Sequence, residues 1–357
     1  MKQLWSFVAG GALLFASTTA SAQTAAANAP TFSKDVAPIF QDKCEACHRP
    51  DSIAPMSLVT YKEARPWARS IRARVADHTM PPWNIDKSVG VQAFKNDRSL
   101  NDKQIDTILK WIDAGAPEGN PREMPPAKEW PEGQGWNFAA QFGQKEPDLI
   151  VKSDPFTMPA LSQDAWDKRI TDAGITEPRW VRAIEIRPNT VKGRRITHHA
   201  IAYLQQEEPG QQQSFLPAPF MEWAVGKQGE MLRPGTGKLL LPGAKFQWDI
   251  HYSQAGEVIT SQVEMGIYFY PKGQEPKYRT SLSLVPAALG SMDIRPNSLS
   301  MSEGFTVLRQ AARIESFQPH MHLRGKAMQV TAILPTGQQQ VLSYVGNFDF
   351  KIGRAHV

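Results

Sequence analysis

Two kinds of residue in this chain have spacings suited to redox-active metals: a pair of cysteines and a set of histidines. Cys44 and Cys47 are separated by two residues, and His48 follows directly. This C-x-x-C-H spacing is the attachment signal for c-type haem, and it predicts a covalent haem with His48 as an iron ligand. A thioredoxin-like redox pair and a structural disulfide are the alternatives. The helical and exported context expected for the segment favours haem.

The sixth iron ligand is expected on a loop downstream of the motif, where a Met would raise the reduction potential of the haem. Met80 lies in such a segment, before two prolines and Trp83, whose ring could pack on the macrocycle. Met56 is a competing candidate, although it could instead pack in the core. His78 could also bind the iron, although a single remaining His is more often a surface or hydrogen-bonding residue. The sequence favours Met80 as the sixth ligand, with Met56 as the alternative.

Five further histidines occur in three tight settings in the second half of the chain: His198-His199, His251 followed by Tyr252, and His320-Met321-His322. On a strand, His320 and His322 would project from one face and could share a metal ion. His198 and His199 are adjacent and would point to opposite faces. They can bind one ion together only if the backbone bulges or the pair lies at a strand end. His251 would add a third ligand from another strand.

The type of side chain narrows the choice of metal. All-imidazole sites suit Cu, Zn, Ni and Fe, with the highest intrinsic affinity for Cu(II). Zinc stays an alternative, because three histidines with an open position also form hydrolytic zinc sites. Asp and Glu do not cluster with the histidines in the sequence, which argues against a calcium or magnesium site. Any one His could be an ordinary core or surface residue, but the three settings together favour metal binding.

The elements that must position these residues change in character along the chain. Residues 31–116 predict a small helical unit, in which Thr60 with Glu63 and Asn101 with Gln104 form capping boxes. Residues 117–147 are rich in Pro, Gly and Trp and predict a linker that lies over a surface. From residue 148 onward, short alternating apolar runs predict the strands of β-sandwiches or jelly rolls. The clearest runs are 180–186, 198–204, 246–252, 262–270, 311–317 and 327–334.

The N-terminus and the composition indicate an exported globular protein. Lys2, an apolar run and Ala20-Ser21-Ala22 predict a signal peptide over residues 1–22, which implies a periplasmic or secreted protein. An N-terminal anchor is the alternative, although no second apolar span supports it, and we expect no membrane span in the mature chain. The chain has 357 residues, 41% of them hydrophobic, and a formal charge of +5. These values fit two to three domains, and no dense Lys/Arg run predicts a nucleic-acid partner.

Three segments of the β region resemble the copper type II, ascorbate-dependent monooxygenases, the family of peptidylglycine and dopamine β-monooxygenases. The matching segments are 197–200, 250–252 and 319–325. The N-terminal part is similar to c-type haem domains fused to such modules in bacterial exported proteins. The resemblance implies that His198, His199 and His251 hold an electron-transfer copper. It also implies that His320 and His322 are the catalytic residues, holding the copper at which O2 is used to hydroxylate a C–H bond.

The fold class implied by the resemblance is multidomain. An N-terminal all-α cytochrome c-like domain at 31–116 and the linker at 117–147 precede all-β tandem jelly-roll or β-sandwich domains. These copper-binding domains would span 148–283 and 284–350, the second one being incomplete. The implied function is a haem–copper oxidoreductase, a monooxygenase acting on a small organic substrate. Electrons would come from the covalent haem c, with ascorbate, another external reductant or a redox partner protein as further sources. A non-catalytic periplasmic electron-transfer or copper-binding protein is the alternative.

The chain departs from the family in three respects. Both Cys belong to the haem motif, whereas animal members are disulfide-rich. Gln318 occupies the position of the Arg that binds the substrate carboxylate in the peptide-specific member, so a peptidylglycine substrate is not supported. The family's second copper also takes a Met well downstream of its H-x-H motif, and the one Met after His322, Met328, is too close to match it.

The last seven residues suggest a reason for the third departure. Residues 351–357 back-translate to AAG ATC GGA AGA GCA CAC GTC, which matches the start of a common short-read sequencing adapter. We therefore expect these residues to be an artefact and His356 not to be a ligand, and we expect the native chain to continue past Phe350 to its Met ligand. The fragment itself is expected to be a poor enzyme.

Overall fold

The computed structural model describes residues 29–50, 52, 54–95, 97–130, 135–208, 218–224, 227, 229–282, 285, 293–321 and 324–348. The expected signal peptide, residues 351–357 and the expected copper ligand His322 lie outside the described residues. The chain groups into two compact units. A helical unit falls within Met1–Glu45, Met56–Asn84 and Asn96–Lys128, and a β unit falls within Ala46–Pro55, Ile85–Lys95 and Glu129–Val357.

The helical unit is built from short helices around an aromatic core. Its α-helices are Ala37–Lys43, Tyr61–Ala64, Ala68–Ala76 and Asp102–Asp113, with a π-helical turn at Phe32–Val36 and 3-10 turns at Arg65–Trp67 and Pro121–Glu123. Both expected capping boxes are present, at Thr60 and at Asn101. Phe32 and Trp111 are fully buried, and the Trp111 indole donates a hydrogen bond of 3.0 Å to the Pro117 carbonyl.

In its described residues, the β unit contains fifteen short strands, one α-helix, Val191–Ile196, and one 3-10 turn, Ala139–Phe142. The strands are β1 Leu149–Lys152, β2 Phe156–Met158, β3 Ala165–Asp167, β4 Ile170–Asp172, β5 Arg179–Pro188, β6 Thr197–Gln205, β7 Ala218–Ala224, β8 Gly229–Met231, β9 Thr236–Leu240, β10 Lys245–Tyr252, β11 Ile259–Ser261, β12 Val263–Phe269, β13 Tyr278–Arg279, β14 Met328–Ile333 and β15 Gln339–Val345.

Two larger sheets of the β unit share one buried core. One has the order β1-β12-β5-β9-β13, with β8 also paired to β5, and the other has the order β3-β10-β6-β7, with β4 also paired to β10. The ladders are antiparallel except for β9 with β13. Ile184 and Ile186 of β5 and Trp248 of β10 belong to a single buried apolar cluster. The expected β-rich architecture after residue 148 is therefore present.

Five of the six clearest strand predictions are confirmed, as β5, β6, β10, β12 and β14. The prediction for residues 311–317 is wrong, because the described residues 293–320 contain no strand. Alternation alone does not make a strand, since the backbone also needs a partner for its ladder. One side chain of this segment is held instead by an ion pair, 2.8 Å between Arg233 Nε and Glu315 Oε1.

A segment expected in the helical domain at 31–116 lies along β15 instead. Ile85 forms a bridge with Val345, and the amide of Asp86 donates a hydrogen bond of 2.8 Å to the Tyr344 carbonyl. Gly90 has a φ of +74°, and a Cβ there would lie 2.7 Å from the Leu342 carbonyl oxygen. Glycine is thus required for this close approach. A segment from a distant part of the chain thus pairs with the edge of the β14–β15 hairpin.

The expected linker is divided between the two units: residues 117–128 group with the helical unit, and the described residues from 135 onward pack against the β unit. The Arg187 guanidinium lies 3.8 Å from the centre of the Trp136 ring, and this Trp is buried. The buried Glu185 carboxylate accepts hydrogen bonds of 2.7 Å from the amides of Asn137 and Phe138. Among the described residues, no helix is both long and apolar enough to cross a lipid bilayer.

Candidate metal centre

The adjacent histidines lie at the start of β6, where its ladder with β10 changes register. His251 pairs with His199, but the next residue of β10, Tyr252, pairs with Thr197. His198 is therefore the extra residue of a β-bulge. Such a bulge breaks the alternation that would place neighbouring side chains on opposite faces of the sheet. Both conditions set by the sequence, a bulge and a strand end, are met at this pair.

The helix Val191–Ile196 fixes the point at which β6 begins. The Thr190 side chain caps this helix by accepting a hydrogen bond of 2.9 Å from the Gly193 amide. A Cβ on Gly193 would lie 2.3 Å from the Ser261 hydroxyl oxygen, so only glycine fits without displacement. At the other end, the Thr197 hydroxyl donates a hydrogen bond of 2.8 Å to the Gly193 carbonyl. The chain thus leaves the helix immediately before the two histidines.

An exposed charge cluster ties this helix to the loop after β10. Glu257 forms an ion pair of 2.8 Å with Lys192 Nζ and a second ion pair with Arg195. The hydrogen bond from Lys192, followed by the attraction of both cations, lowers the pKa of Glu257 below its ordinary value. The segments that lead to His198 and away from His251 are joined at this point.

Three imidazoles converge at the bulge. The ring centres of His198 and His199 lie 5.4 Å apart, and each lies 5.0 Å from the ring centre of His251. One nitrogen of each ring lies within 4.8 Å of the others, and the Nδ1 atoms of His198 and His199 are 3.2 Å apart. The group contains no Cys, Asp or Glu. It is thus a set of three nitrogen donors gathered around one point.

The cluster lies on the outward face of its sheet. Along β10, Phe246, Trp248, Ile250 and Tyr252 are fully buried, so His251 projects from the opposite side. The Tyr252 ring stacks on Phe156 at 4.5 Å, on the core side. Burial, followed by the charge of Asp167, raises the pKa of Tyr252, so its phenol stays protonated at ordinary pH. The three histidines therefore lie on the face of the sheet opposite the apolar core.

Two residues that sequence reasoning missed contact His251. Asp164 Oδ2 lies 2.8 Å from His251 Nε2, and the Trp166 ring is parallel to the imidazole at 4.4 Å. Asp164 precedes His251 by 87 positions, so the expectation that carboxylates do not cluster with the histidines holds only along the sequence. With Nε2 facing a carboxylate, Nδ1 is the nitrogen of His251 left to bind a metal.

The donor set fits the metals expected from the sequence. Neutral imidazoles suit Cu, Zn, Ni and Fe, and three nitrogens leave positions for water or another small ligand. The absence of oxygen ligands from the group disfavours Ca²⁺ and Mg²⁺, which need six or more oxygens including water. The geometry supports a metal centre of His198, His199 and His251.

The H-x-H motif is only partly described. His320 is half-buried, follows the buried Pro319 and lies outside any strand. A Cβ on Gly325 would come within 2.3 Å of the Met321 Cβ, so Gly325 lies directly against Met321. Because His322 lies outside the described residues, pairing of His320 with His322 on one metal stays a prediction.

The haem motif begins at the end of a helix. Cys44 caps Ala37–Lys43, its amide donates a hydrogen bond of 2.8 Å to the Phe40 carbonyl, and its side chain packs against the core of the helical unit. Cys47 and His48 are half-buried and follow in a turn that groups with the β unit. A helix therefore precedes the motif, but the motif itself forms a turn and not the expected helical segment.

The candidate sixth ligands differ in exposure. Met56 packs against the core of the helical unit, as does Cys44. Met80 is 36% exposed, and its amide donates a hydrogen bond of 3.1 Å to the Arg74 carbonyl. His78 is exposed and has a φ of +54°. Met56 thus has a packing role of its own, which leaves Met80 as the candidate with an exposed thioether.

No protein-family model and no curated protein matches this chain.

Proposed function

We propose that this protein is an exported haem–copper oxidoreductase whose electron-transfer copper is held by His198, His199 and His251. The observation that carries the proposal is the β-bulge at His198, because it gathers two adjacent side chains with a third from the neighbouring strand. A bulge is a local disruption of the ladder, and such disruptions concentrate next to functional sites. A chance cluster of surface histidines would not require one.

Copper is favoured over zinc for two reasons. Imidazole sites have their highest intrinsic affinity for Cu(II). The chain also carries a haem attachment motif, and zinc has no redox chemistry that would use an electron-carrying haem. When bound, copper would accept and release single electrons at this centre. The three imidazoles would hold it, and the outward face of the sheet would leave it accessible to O2 or a small reductant.

The proposed reaction is hydroxylation of a C–H bond in a small organic substrate. One O2, two electrons and two protons convert R–H into R–OH and one water. His320 and His322 are proposed to hold the copper at which this takes place, which rests on the resemblance of the H-x-H segment. The alternative is a periplasmic or secreted electron-transfer protein that binds copper and hydroxylates nothing.

The haem is proposed to supply the electrons, with ascorbate or another external reductant as a further source. Cys44 and Cys47 would hold the haem covalently, and His48 with Met80 would be its axial ligands. A cysteine-to-serine change at position 47 should leave one thioether bond at most. Met80→Ala should remove the sulfur-to-iron charge-transfer band of the oxidised haem, whereas Met56→Ala should keep it. The opposite result would assign the ligand to Met56.

Stopped-flow oxidation of the haem tests the function. The full chain, matured with haem, is reduced without oxygen and then mixed with O2, with and without copper. We expect copper to accelerate haem oxidation, and we expect His199→Ala to remove the acceleration. Oxidation that is independent of copper would contradict electron delivery from haem to copper. If Cu(II) oxidises the haem in the absence of O2, and O2 added afterwards is not consumed, the result would support the electron-transfer alternative.

A further inference from the structure

The strand β3 lies beside the metal centre and belongs to no predicted motif. Within the sheet, β10 runs between β6 and β3, so His251 has His199 as its cross-strand neighbour on one side and Trp166 on the other. Residues directly opposite one another in a ladder share a face of the sheet. A three-residue strand thus places an aromatic ring on the same face as the imidazoles.

Asp164, immediately before β3, contacts the Nε2 edge of the His251 imidazole. Its Oδ2 lies 2.8 Å from His251 Nε2, although the Asp164 side chain is 47% exposed. The His251 side chain is only 12% exposed, so little water competes for this contact. A carboxylate that accepts a hydrogen bond from one imidazole nitrogen fixes the tautomer and makes the other nitrogen a stronger ligand.

Trp166 covers one face of the same imidazole. The two rings are parallel within 3° at a centre-to-centre distance of 4.4 Å, and the indole remains 54% exposed. Large aromatic side chains are normally buried, so an exposed indole held flat against a polar ring is unusual for a residue with only a packing role. The stacked indole limits rotation of His251 about its side-chain bonds.

We propose that Asp164 and Trp166 are positioning residues that hold His251 with its Nδ1 toward His198 and His199. Asp164 sets the tautomer of the imidazole, and Trp166 sets the plane of its ring. Neither touches the metal. This inference rests on the proposed copper centre. Asp164 and Trp166 would fix the orientation of the His251 side chain before the metal binds.

Copper affinity measured by competition titration on the full chain tests the inference. We expect Asp164→Ala to weaken Cu(II) binding about 10–100-fold, the usual effect of removing a partner of a ligating His. Asp164→Asn should weaken it less, because an amide oxygen accepts the same hydrogen bond without the charge. Glu177→Gln is the matched control, since it removes an exposed carboxylate that bonds Lys272 in the same unit, and it should leave affinity unchanged.

A spectroscopic measurement separates positioning from general destabilisation. Electron spin-echo modulation of bound Cu(II) reports the remote nitrogen of each imidazole. In the native chain, one remote nitrogen should differ from the others because its N–H faces a carboxylate. Asp164→Asn should shift that one signal and leave the others unchanged. Trp166→Phe, which keeps an aromatic ring, should retain the signal, whereas Trp166→Ala should broaden it. The near-isosteric Asn and Phe variants keep the test informative if an Ala variant does not fold.

The outcomes distinguish this inference from the proposed function. If the native chain binds copper and His199→Ala lowers both the affinity and the number of bound nitrogens, while Asp164→Ala and Asp164→Asn change neither affinity nor the remote-nitrogen signal, the positioning role is wrong and the copper centre stands. If the native chain binds no copper through these histidines, both are wrong. Weaker binding together with a shifted signal supports both.

Discussion

Two histidine sites of the β unit, the three-histidine centre and the H-x-H motif, differ in what surrounds them. His199 and His251 lie on paired strands above a core whose residues, among them Trp248 and Ile250, are fully buried. His320 lies outside any strand, in a stretch where Leu299 and Phe305 are each more than 85% exposed. The comparison indicates that a buried core, by holding paired strands in register, brings the ligands of a short motif together into a metal site.

The largest expected contrast concerns metal binding at the two settings. His251→Ala should weaken copper binding at the three-histidine centre by more than the ~10–100-fold effect of an outer residue, because it removes a ligand itself. His320→Ala should leave that centre unchanged. Copper titrations of both variants check the contrast. A loss of the three-histidine signal in His320→Ala would mean that the two settings form one site.

The next contrast concerns the packing of the two regions. Ile184 is fully buried in the shared core, whereas Ile333 on the β14–β15 hairpin is 72% exposed. Ile184→Ala should lower the free energy of unfolding by about 2–5 kcal/mol, through lost burial and the cavity left behind. Ile333→Ala should change it by less than about 0.5 kcal/mol. Denaturant unfolding curves check both values, and equal effects would show that the hairpin is buried in solution.

A smaller effect is expected where the linker joins the β unit. Glu185→Ala would remove the acceptor of three donors. These are the amides of the half-buried Asn137 and Phe138 and the buried Tyr268 hydroxyl, which lies 2.6 Å from Glu185 Oε1. We expect a loss of about 1–3 kcal/mol, the usual cost of unsatisfied buried groups. Burial and the bond to Glu185 raise the pKa of Tyr268, so its hydroxyl remains a donor at ordinary pH.

Hydrogen exchange should also show the amides of Asn137 and Phe138 losing protection in Glu185→Ala. Glu185→Gln retains an oxygen acceptor and is the control, with a smaller loss expected. Unchanged protection in Glu185→Ala would show that the linker is held by the contact between Arg187 and Trp136 instead.

The smallest expected effect is the pH dependence of the ion pairs beside the bulge. Because Lys192 and Arg195 lower the folded-state pKa of Glu257 below its ordinary value of 4.5, the stabilisation is fully present above that value. It is lost as the pH falls through the lower folded pKa. The unfolding midpoints of the native chain and Glu257→Gln should therefore differ at pH 7 and converge in acid or at high salt. A difference that persists in acid would contradict the ion-pair origin.

The sequence predicts those parts of the molecule that repeat a local pattern. The capping boxes at Thr60 and Asn101 and the strand containing His251 follow from neighbouring residues, and all are present. The sequence also sets a condition for His198 and His199, since two adjacent residues can face one ion only at a bulge or a strand end. These features depend on interactions within a few residues or on a simple steric requirement.

The rest depends on pairings between distant segments. β3 has three residues, too few to show a periodic pattern, so neither Asp164 nor Trp166 could be linked to His251 from the sequence. The segment that contains Ile85 pairs with β15, although most of the chain separates the two in sequence. Residues 311–317 show the converse, because they have the apolar alternation of a strand and no strand forms there.

The most direct test of the central claim is a count of the nitrogens bound to copper. Pulsed electron paramagnetic resonance on the full chain, loaded with one equivalent of Cu(II), measures this count. We predict three imidazole nitrogens in the native chain and two in each of His198→Ala, His199→Ala and His251→Ala. The claim would be contradicted if these variants bound Cu(II) with the same nitrogen count and affinity as the native chain.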